Sequence, residues 1–221
     1  MMLKIVKLAA CLSALMLATG CATPKKYDYT ALKESRPRSI LVLPPLNESP
    51  DVNATYSMLS QVSYPLAEAG YYVLPVTLAN ETFKQNGLSN AAEIHGVSAN
   101  KLKEIFGADA ALYITINKYG TTYMIIDSVT EVTANAKLVD LKTGKVLWTG
   151  LASASSSESS NSGGGLIAVL VTAAIKQIAN SVMDAGYPIA GIASNRLLSA
   201  GRPSGLLYGP RSAYYEKDAI N

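Results

Sequence analysis

The feature that most constrains this chain is where its cysteines lie. The 221 residues contain two, Cys11 and Cys21. Residues 1–20 start with Lys4 and Lys7 and continue into an apolar run, which is the layout of a secretory signal peptide. Removal of that peptide takes Cys11 with it and leaves Cys21 alone at the first mature position. The mature chain therefore cannot form an internal disulfide or a cysteine-based metal site, and a hydrophobic core must hold it together.

The residues that end at Cys21 carry a second signal. Residues 17–21 (LATGC) resemble a bacterial lipobox, with leucine four places before the cysteine instead of the usual three. This resemblance implies that Cys21 carries diacylglycerol and an N-acyl chain such as palmitate, and no other cofactor is expected. Ala22 in place of aspartate favours the outer membrane, with the domain in the periplasm and exposure at the cell surface left open. Ordinary cleavage that leaves a free Cys21 is the alternative.

Length and composition predict one folded domain. The 201 residues after the signal can bury a sizeable core, and 49% of the sequence is apolar while 16% is charged. The net charge of +3 falls to +1 once Lys4 and Lys7 are removed, and no basic patch is visible, which argues against a nucleic-acid partner. We divide the chain into a signal (1–20), a polar lipid-anchored tether (21–38), a single domain (39–200) and an extended tail (201–221).

Hydrophobic periodicity predicts parallel pairing first and antiparallel pairing later. A buried strand at 39–43, a helix at 54–69 that Pro65 kinks or restarts, and a strand at 71–74 form a β-α-β unit. A helix at 76–85, a loop at 86–97 and a helix from Ser98 to Gly107 follow. Strands at 110–118, 123–141 and 146–154 continue the sheet, the last two joined by a turn at 142–145. The predicted fold class is α/β (α+β), with a mixed sheet of about five strands and helices on both faces.

The C-terminal third contains the candidate interface. A serine-rich and glycine-rich loop at 153–165 leads into a strongly apolar helix at 166–183. That helix is either buried against the sheet or exposed for association, and the candidate interface residues are Leu166, Ile167, Val169, Leu170 and Tyr208. The tail is rich in glycine, proline and tyrosine and is expected to dock, either on its own domain or on a neighbour.

The sequence lacks the parts of a catalytic or metal site. His95 is the single histidine, lies in a predicted loop, and has no G-x-S-x-G nucleophile elbow to work with, so we interpret it as a solvated polar residue. Asp127 and Glu131 share one face of a strand about 13 Å apart, beyond the roughly 5–10 Å of glycosidase acid pairs. The Gly-Lys at 144–145 belongs to a hairpin turn. We therefore predict no catalytic residues, no metal ligands and no enzyme activity.

Three segments carry a family resemblance. Residues 40–47 (ILVLPPLN), 107–112 (GADAAL) and 140–148 (DLKTGKVLW) resemble the first strand, the central strand and the late hairpin of CsgG-like and TolB N-terminal-like periplasmic domains. The similarity runs over about residues 39–155. It implies a TolB N-terminal-like fold and a place among small outer-membrane lipoproteins related to the curli-secretion lipoprotein, a group that serves envelope transport or assembly.

The resemblance also separates two functional hypotheses. A pore-forming relative needs inserted hairpins with membrane strands of about 9–11 residues, and the chain has no room for one between 118 and 123. We therefore expect a self-associating accessory subunit, a dimer or ring, that binds other envelope transport lipoproteins. The alternative is a lipoprotein activator of a peptidoglycan synthase. A short tether at 22–38 argues against it, because an activator must reach across the cell wall.

Overall fold

The computed structural model of the protein describes residues 27–123, 128–160 and 184–217. The predicted helix at 166–183, with Leu166, Ile167, Val169 and Leu170, lies outside these residues, as do Cys21 and Asp127. The strands are β1 (Ser39–Val42), β2 (Leu46–Asn47), β3 (Tyr72–Val73), β4 (Ala110–Tyr123), β5 (Ser128–Asp140) and β6 (Val146–Ser155). The described helices are α1 (Thr30–Ser35), α2 (Ala54–Gln61), α3 (Ser63–Glu68), α4 (Val76–Gln85), α5 (Ala91–His95), α6 (Ala99–Phe106) and α7 (Gly186–Leu198).

One mixed sheet organises these elements, in the order β3-β1-β4-β5-β6 with β2 beside β4. β1 is parallel to both β3 and β4, whereas β4, β5 and β6 are antiparallel. The predicted α/β class with a mixed sheet is confirmed. β4 runs to Tyr123 instead of stopping at 118, because a bulge between Ile116 and Lys118 resets the side-chain alternation and pairing with β5 continues.

Two predicted elements have different boundaries. The helix expected over 54–69, kinked or restarted by Pro65, is two helices that meet at Val62, because Pro65 has no N–H to bond back to the preceding turn. The loop expected over 86–97 contains α5, which Asn90 caps by accepting the N–H of Ala92 and which buries Ile94. The helix begun by Ser98 and ended by Gly107, at φ +68°, is confirmed.

Helices cover the sheet unequally on its two faces. α1, α2, α3 and α7 pack on one face, over Leu112, Ile114 and Leu138. α4, α5 and α6 pack on the other face, but only over the end that contains Leu41 and Tyr113. The distal half of this second face has no described element above it.

α7 is a helix that sequence reasoning did not predict. Its residues Ile189, Ala190, Ala193 and Leu197 are buried against the sheet and against α2. The spacing of these residues is helical, but many positions are alanine or glycine, so the apolar periodicity is weak. The more strongly apolar run just before it, at 166–175, dominates the hydrophobic pattern of this region.

The predicted tether is partly folded. Residues 27–38 include α1, and Tyr29 and Leu32 are buried in the main core. Ser35 donates a hydrogen bond to Asp140, and the Tyr29 hydroxyl donates to the Gly205 carbonyl at 2.7 Å. The tether prediction is therefore wrong for residues 27–38, because two apolar side chains in this polar stretch reach the core.

The tail docks on its own domain. The Gly209 N–H bonds the Ala69 carbonyl at 2.7 Å, the indole N–H of Trp148 donates to Ser204 at 3.1 Å, and Leu206 is buried. Gly70 permits this approach, since a Cβ there would lie 2.5 Å from the Ser212 nitrogen.

The serine-rich stretch is more ordered than a flexible loop over its described part. Residues 153–155 belong to β6, and Ser156–Ser160 form a 3₁₀ turn. Glu158 pairs with Arg196 of α7 at 2.6 Å. This ion pair connects the 3₁₀ turn to α7. The serine-rich composition of the stretch does not predict this contact.

Candidate functional site

The uncovered half of the sheet is the first candidate surface. Odd-numbered residues of β5 and β6 point to this side, together with the end of β4. We call it the open face; it consists of Asn117, Glu131, Thr133, Asn135, Lys137, Thr149, Leu151 and Ser153. All are partly or fully exposed to solvent.

Hydrogen bonds hold the open face in a fixed arrangement. Asn135 donates to Asn117 at 3.2 Å, and Asn117 donates to Glu48 at 2.9 Å. The hydroxyls of Thr133 and Ser153 lie 2.9 Å apart across β5 and β6. Because its polar groups are already oriented, this surface can bind a partner without reorganising.

Leu151 is the apolar residue of this polar surface. It lies on the edge strand β6 with 72% of its surface exposed. The neighbouring edge positions are protected, because Tyr27 accepts the N–H of Thr149 and Arg196 donates to the Ser153 carbonyl. Leu151 is therefore an exposed apolar side chain that lies between two edge positions whose backbone groups already have hydrogen-bond partners.

His95 lies at the covered end of the open face, beside a cleft of about 350 Å³. Its Nε2 is 2.9 Å from the Pro44 carbonyl, and since a carbonyl can only accept, Nε2 is the donor. Its ring packs edge-on against Tyr113, and burial lowers the pKa of His95 despite the hydrogen bond to Pro44. The interpretation of His95 as a solvated loop residue is wrong; it joins α5 to the strand end.

The described carboxylates serve structure. Asp109 accepts the N–H groups of Arg38 and Ser39 and pairs with Lys103 at 3.2 Å. Burial raises the pKa of Asp109, but these hydrogen bonds outweigh it and hold the pKa below the usual value. Asp184 accepts hydrogen bonds from Tyr119 and Ser57 at the start of α7.

The described residues include neither a metal-binding cluster nor a membrane-spanning helix. Glu131, one of the two strand carboxylates, bonds Lys118 and Thr133. Within residues 27–123, 128–160 and 184–217, no three histidine, cysteine or acidic side chains come together as a metal site. Over the same ranges, no helix has both the length and the apolar character needed to cross a membrane.

A cavity between α1 and the tail is the second candidate site. It encloses about 250 Å³. Its walls are mainly apolar, formed by Leu32, Tyr71, Leu207, Tyr208, Pro210 and Tyr215. Tyr208 is half-buried and packs on Tyr214 of the same chain, with ring centres 5.3 Å apart.

Charged residues surround this cavity. Lys33, Arg36 and Glu216 line it, and Arg36 and Glu216 form an ion pair at 3.5 Å with both side chains mostly exposed. Both have left-handed backbones, with φ of 47° and 60°. Such conformations cost energy outside glycine and are concentrated at functional sites. No local motif marks this site, since its two walls come from opposite ends of the chain.

Comparison with known proteins places the chain in a family. Residues 27–211 match a family model described as "Putative lipoprotein GNA1162-like". A relative from Neisseria meningitidis serogroup B, "Putative lipoprotein NMB1124/NMB1162", is 54% identical over 202 residues, which is 90% of this chain and 94% of the relative.

The solved structure of a homologue supports the family match. The crystal structure of lipoprotein GNA1162 from Neisseria meningitidis is 58% identical, covers 66% of this chain and 100% of its own, and has a TM-score of 0.54. The PelC dodecamer from Paraburkholderia phytofirmans is 15% identical, covers 61% of this chain and 82% of its own, and its TM-score of 0.38 is too low to support an argument. On the family match and the close relative, this chain belongs to the GNA1162-like lipoprotein family.

Proposed function

We propose that this protein is anchored by lipids on Cys21 in the outer membrane and acts in the periplasm as a non-catalytic, self-associating accessory subunit of an envelope transport or assembly system. The observation that carries the proposal is the open face, a pre-organised, half-polar sheet surface on a domain that begins six residues after the lipobox cysteine. The resemblance to CsgG-like domains supports the same role.

The anchor would hold the domain close to the membrane. Tyr27 already hydrogen-bonds β6, so the folded chain is reached at most six residues after Cys21 and not after the whole of 22–38. Six Cα steps span at most about 20 Å. A partner that lies at the membrane surface is within reach, while a peptidoglycan synthase reached through the wall mesh is not, and this disfavours the activator alternative.

Binding fits the described side chains better than catalysis. His95, Asp109, Asp140 and Asp184 each have hydrogen-bond partners that fix the fold. Among the described residues, no serine or cysteine side chain hydrogen-bonds the His95 ring, as a nucleophilic mechanism requires; its Nε2 donates to the Pro44 carbonyl.

An accessory role is favoured over a channel. β4 and β5 are paired from Ala110 and Asp140 up to Tyr123 and Ser128. Four residues separate these strands, too few for an inserted hairpin with two membrane strands of about 9–11 residues each.

Self-association through the open face is consistent with its charges. Lys137 is exposed at one end of β5 and makes no ion pair with the described residues, whereas Glu131 lies six residues away near the other end. A two-fold axis between them would bring Lys137 of each copy opposite Glu131 of the other. Glu131 already pairs with Lys118 of its own chain at 3.5 Å, but that exposed pair contributes little, so Glu131 can exchange it for Lys137 of a second copy.

Lipid attachment is tested by mass spectrometry of the N-terminal peptide from membranes. We expect Cys21 to carry three acyl chains and the protein to fractionate with the outer membrane. Cys21→Ser should release the protein into the periplasm. An unmodified Cys21 in a soluble protein contradicts the anchor.

The partner is tested by in-cell cross-linking of the lipidated protein, followed by purification and mass spectrometry. We expect a second copy together with envelope transport proteins, and Cys21→Ser should lose these transport proteins. Recovery of a peptidoglycan synthase as the main partner would instead establish the activator function.

A further inference from the structure

We propose that the cavity between α1 and the tail binds one anionic phospholipid of the anchoring membrane, with acyl carbon inside and the phosphate at Lys33 and Arg36. This inference rests on the proposed lipid anchor at Cys21 for its location. It adds a second, non-covalent membrane contact, made by the folded domain itself.

The interior of the cavity suits hydrocarbon. Leu32 and Tyr71 form its floor and are almost fully buried, at 3% and 4% exposure. Leu207 and Pro210 form the tail side of the same cavity. The volume is about 250 Å³, and a mainly apolar lining holds water poorly. A short length of acyl chain suits such a space.

The rim suits a phosphate. Lys33 makes no ion pair with the described residues. The Arg36 side chain donates from Nε to the Lys33 carbonyl at 3.2 Å, and its Nη1 pairs with Glu216. That pair is exposed on both sides and separated by 3.5 Å, so it contributes little and can be exchanged for a phosphate oxygen. Two cations and one acid leave the cavity lining with a net positive charge.

The short distance along the sequence from Cys21 to α1 favours a membrane lipid over another anionic amphiphile as the ligand of the cavity. One wall of the cavity is α1, which starts nine residues after Cys21 and is about 9 Å long. The sequence between them includes Lys25 and Lys26, and basic residues this close to a membrane attract anionic lipids. Anionic phospholipid is therefore the ligand available at highest local concentration.

The test uses the mature chain with Cys21→Ser, so that vesicle binding reports the cavity and does not depend on whether Cys21 is lipidated. Binding to phosphatidylglycerol vesicles is measured by co-sedimentation, with phosphatidylcholine vesicles as the reference. We expect Lys33→Gln with Arg36→Gln to weaken binding by about fivefold for each charge removed. Lys84→Gln with Lys101→Gln, on helices of the opposite sheet face, removes the same charge and should bind like the parent.

A variant that is expected to strengthen binding controls for loss of the fold, because an unfolded protein would not bind more tightly. Glu216→Gln removes the acid that competes for Arg36 at an exposed position, and it should strengthen binding to phosphatidylglycerol. Unchanged or weaker binding by this variant contradicts a phosphate site at Arg36.

Acyl-chain entry is tested by fluorescence quenching with phosphatidylglycerol brominated on its acyl chains. Tyr215→Trp places a probe on the cavity wall, and Leu78→Trp places a control on exposed α4; the single native tryptophan, Trp148, is buried. We expect strong quenching at 215 and little at 78. Equal quenching at both positions, or equal weakening by the two charge pairs, would overturn the cavity site and leave only general attraction to the membrane.

Discussion

Asp109 and Asp140, at one end of the sheet, show the structural role of the segments that resemble CsgG-like and TolB N-terminal-like domains. Asp109, in the GAD segment, ties the start of β4 to the start of β1 through Ser39. Asp140 accepts the N–H groups of Lys142 and Thr143 and so closes the turn between β5 and β6. The two residues are adjacent in register, because Ala110 pairs with Asp140. These motifs therefore encode how the strands begin and turn, and they carry no chemistry.

Acid sensitivity follows from Asp140. Burial raises its pKa, but hydrogen bonds from Ser35, Thr143 and Lys142 outweigh this and hold the pKa below its usual value. Because the pKa is lowered on folding, the stabilisation is present above about pH 4 and is lost as the pH falls through the folded pKa.

We expect Asp140→Asn to cost about 1 kcal/mol at pH 7 and to flatten the decline in unfolding free energy between about pH 5 and 2. Urea unfolding across this range measures both quantities. Glu81→Gln, on exposed α4, is the control and should change neither. A full wild-type slope in Asp140→Asn would show that Asp140 is not a source of the acid sensitivity.

Gly150 gives a prediction about packing. A Cβ at this position would lie 2.4 Å from the indole ring of Trp148. Gly150→Ala should therefore cost about 1–3 kcal/mol through overpacking. Gly191→Ala, in the middle of α7 with ordinary 3.4 Å contacts, should stabilise by up to about 1 kcal/mol. Thermal unfolding of the two variants tests this prediction. A Gly150→Ala variant as stable as the wild type would contradict it.

At the scale of elements, periodicity predicts the sheet and most helices but not how far each extends. The strand from Ala110 has a clear alternation of apolar and polar residues, which the bulge at Asn117 interrupts, so the prediction stops too early. α7 is missed because its buried positions are largely alanine. Both errors arise where tertiary contacts, and not local pattern, decide the structure.

α7 should contribute strongly to stability despite its weak signal. Leu197 is 2% exposed and lies against β5 and β6, so Leu197→Ala should cost about 2–5 kcal/mol. Tyr187, on the same helix and 42% exposed, is the control, and Tyr187→Ala should change stability by about 0.5 kcal/mol or less. Similar losses in both variants, measured by urea unfolding, would contradict the packing of α7.

The tail should behave as part of the core. Leu206 is 1% exposed, and its neighbour Ser204 accepts the indole N–H of Trp148. Leu206→Ala should destabilise by about 2 kcal/mol or more and shift Trp148 emission to longer wavelength. Arg202→Ala, at an exposed position of the same turn, should leave both unchanged. An unaltered Leu206→Ala spectrum would show that the tail is not docked there.

For the whole molecule, the sequence predicts the class of fold better than it predicts surfaces. The open face depends on where α4, α5 and α6 stop along the sheet, which no local pattern records. The cavity joins Arg36 to Glu216, 180 positions apart in the chain, so its charges and apolar walls are assembled by folding alone. Of the candidate interface residues, Tyr208 lines this cavity and packs on Tyr214, whereas Leu166, Ile167, Val169 and Leu170 lie outside the described residues and stay a prediction.

The most direct test of the central claim is site-specific photo-cross-linking of the lipidated protein in cells. A photoreactive phenylalanine at Leu151 probes the open face, and one at Leu78, similarly exposed on α4, is the control. We predict a covalent adduct of two copies, with further envelope partners, from position 151 and not from 78. Adducts from 78 alone, or none from 151, would contradict the account that this lipoprotein works by docking through its open face.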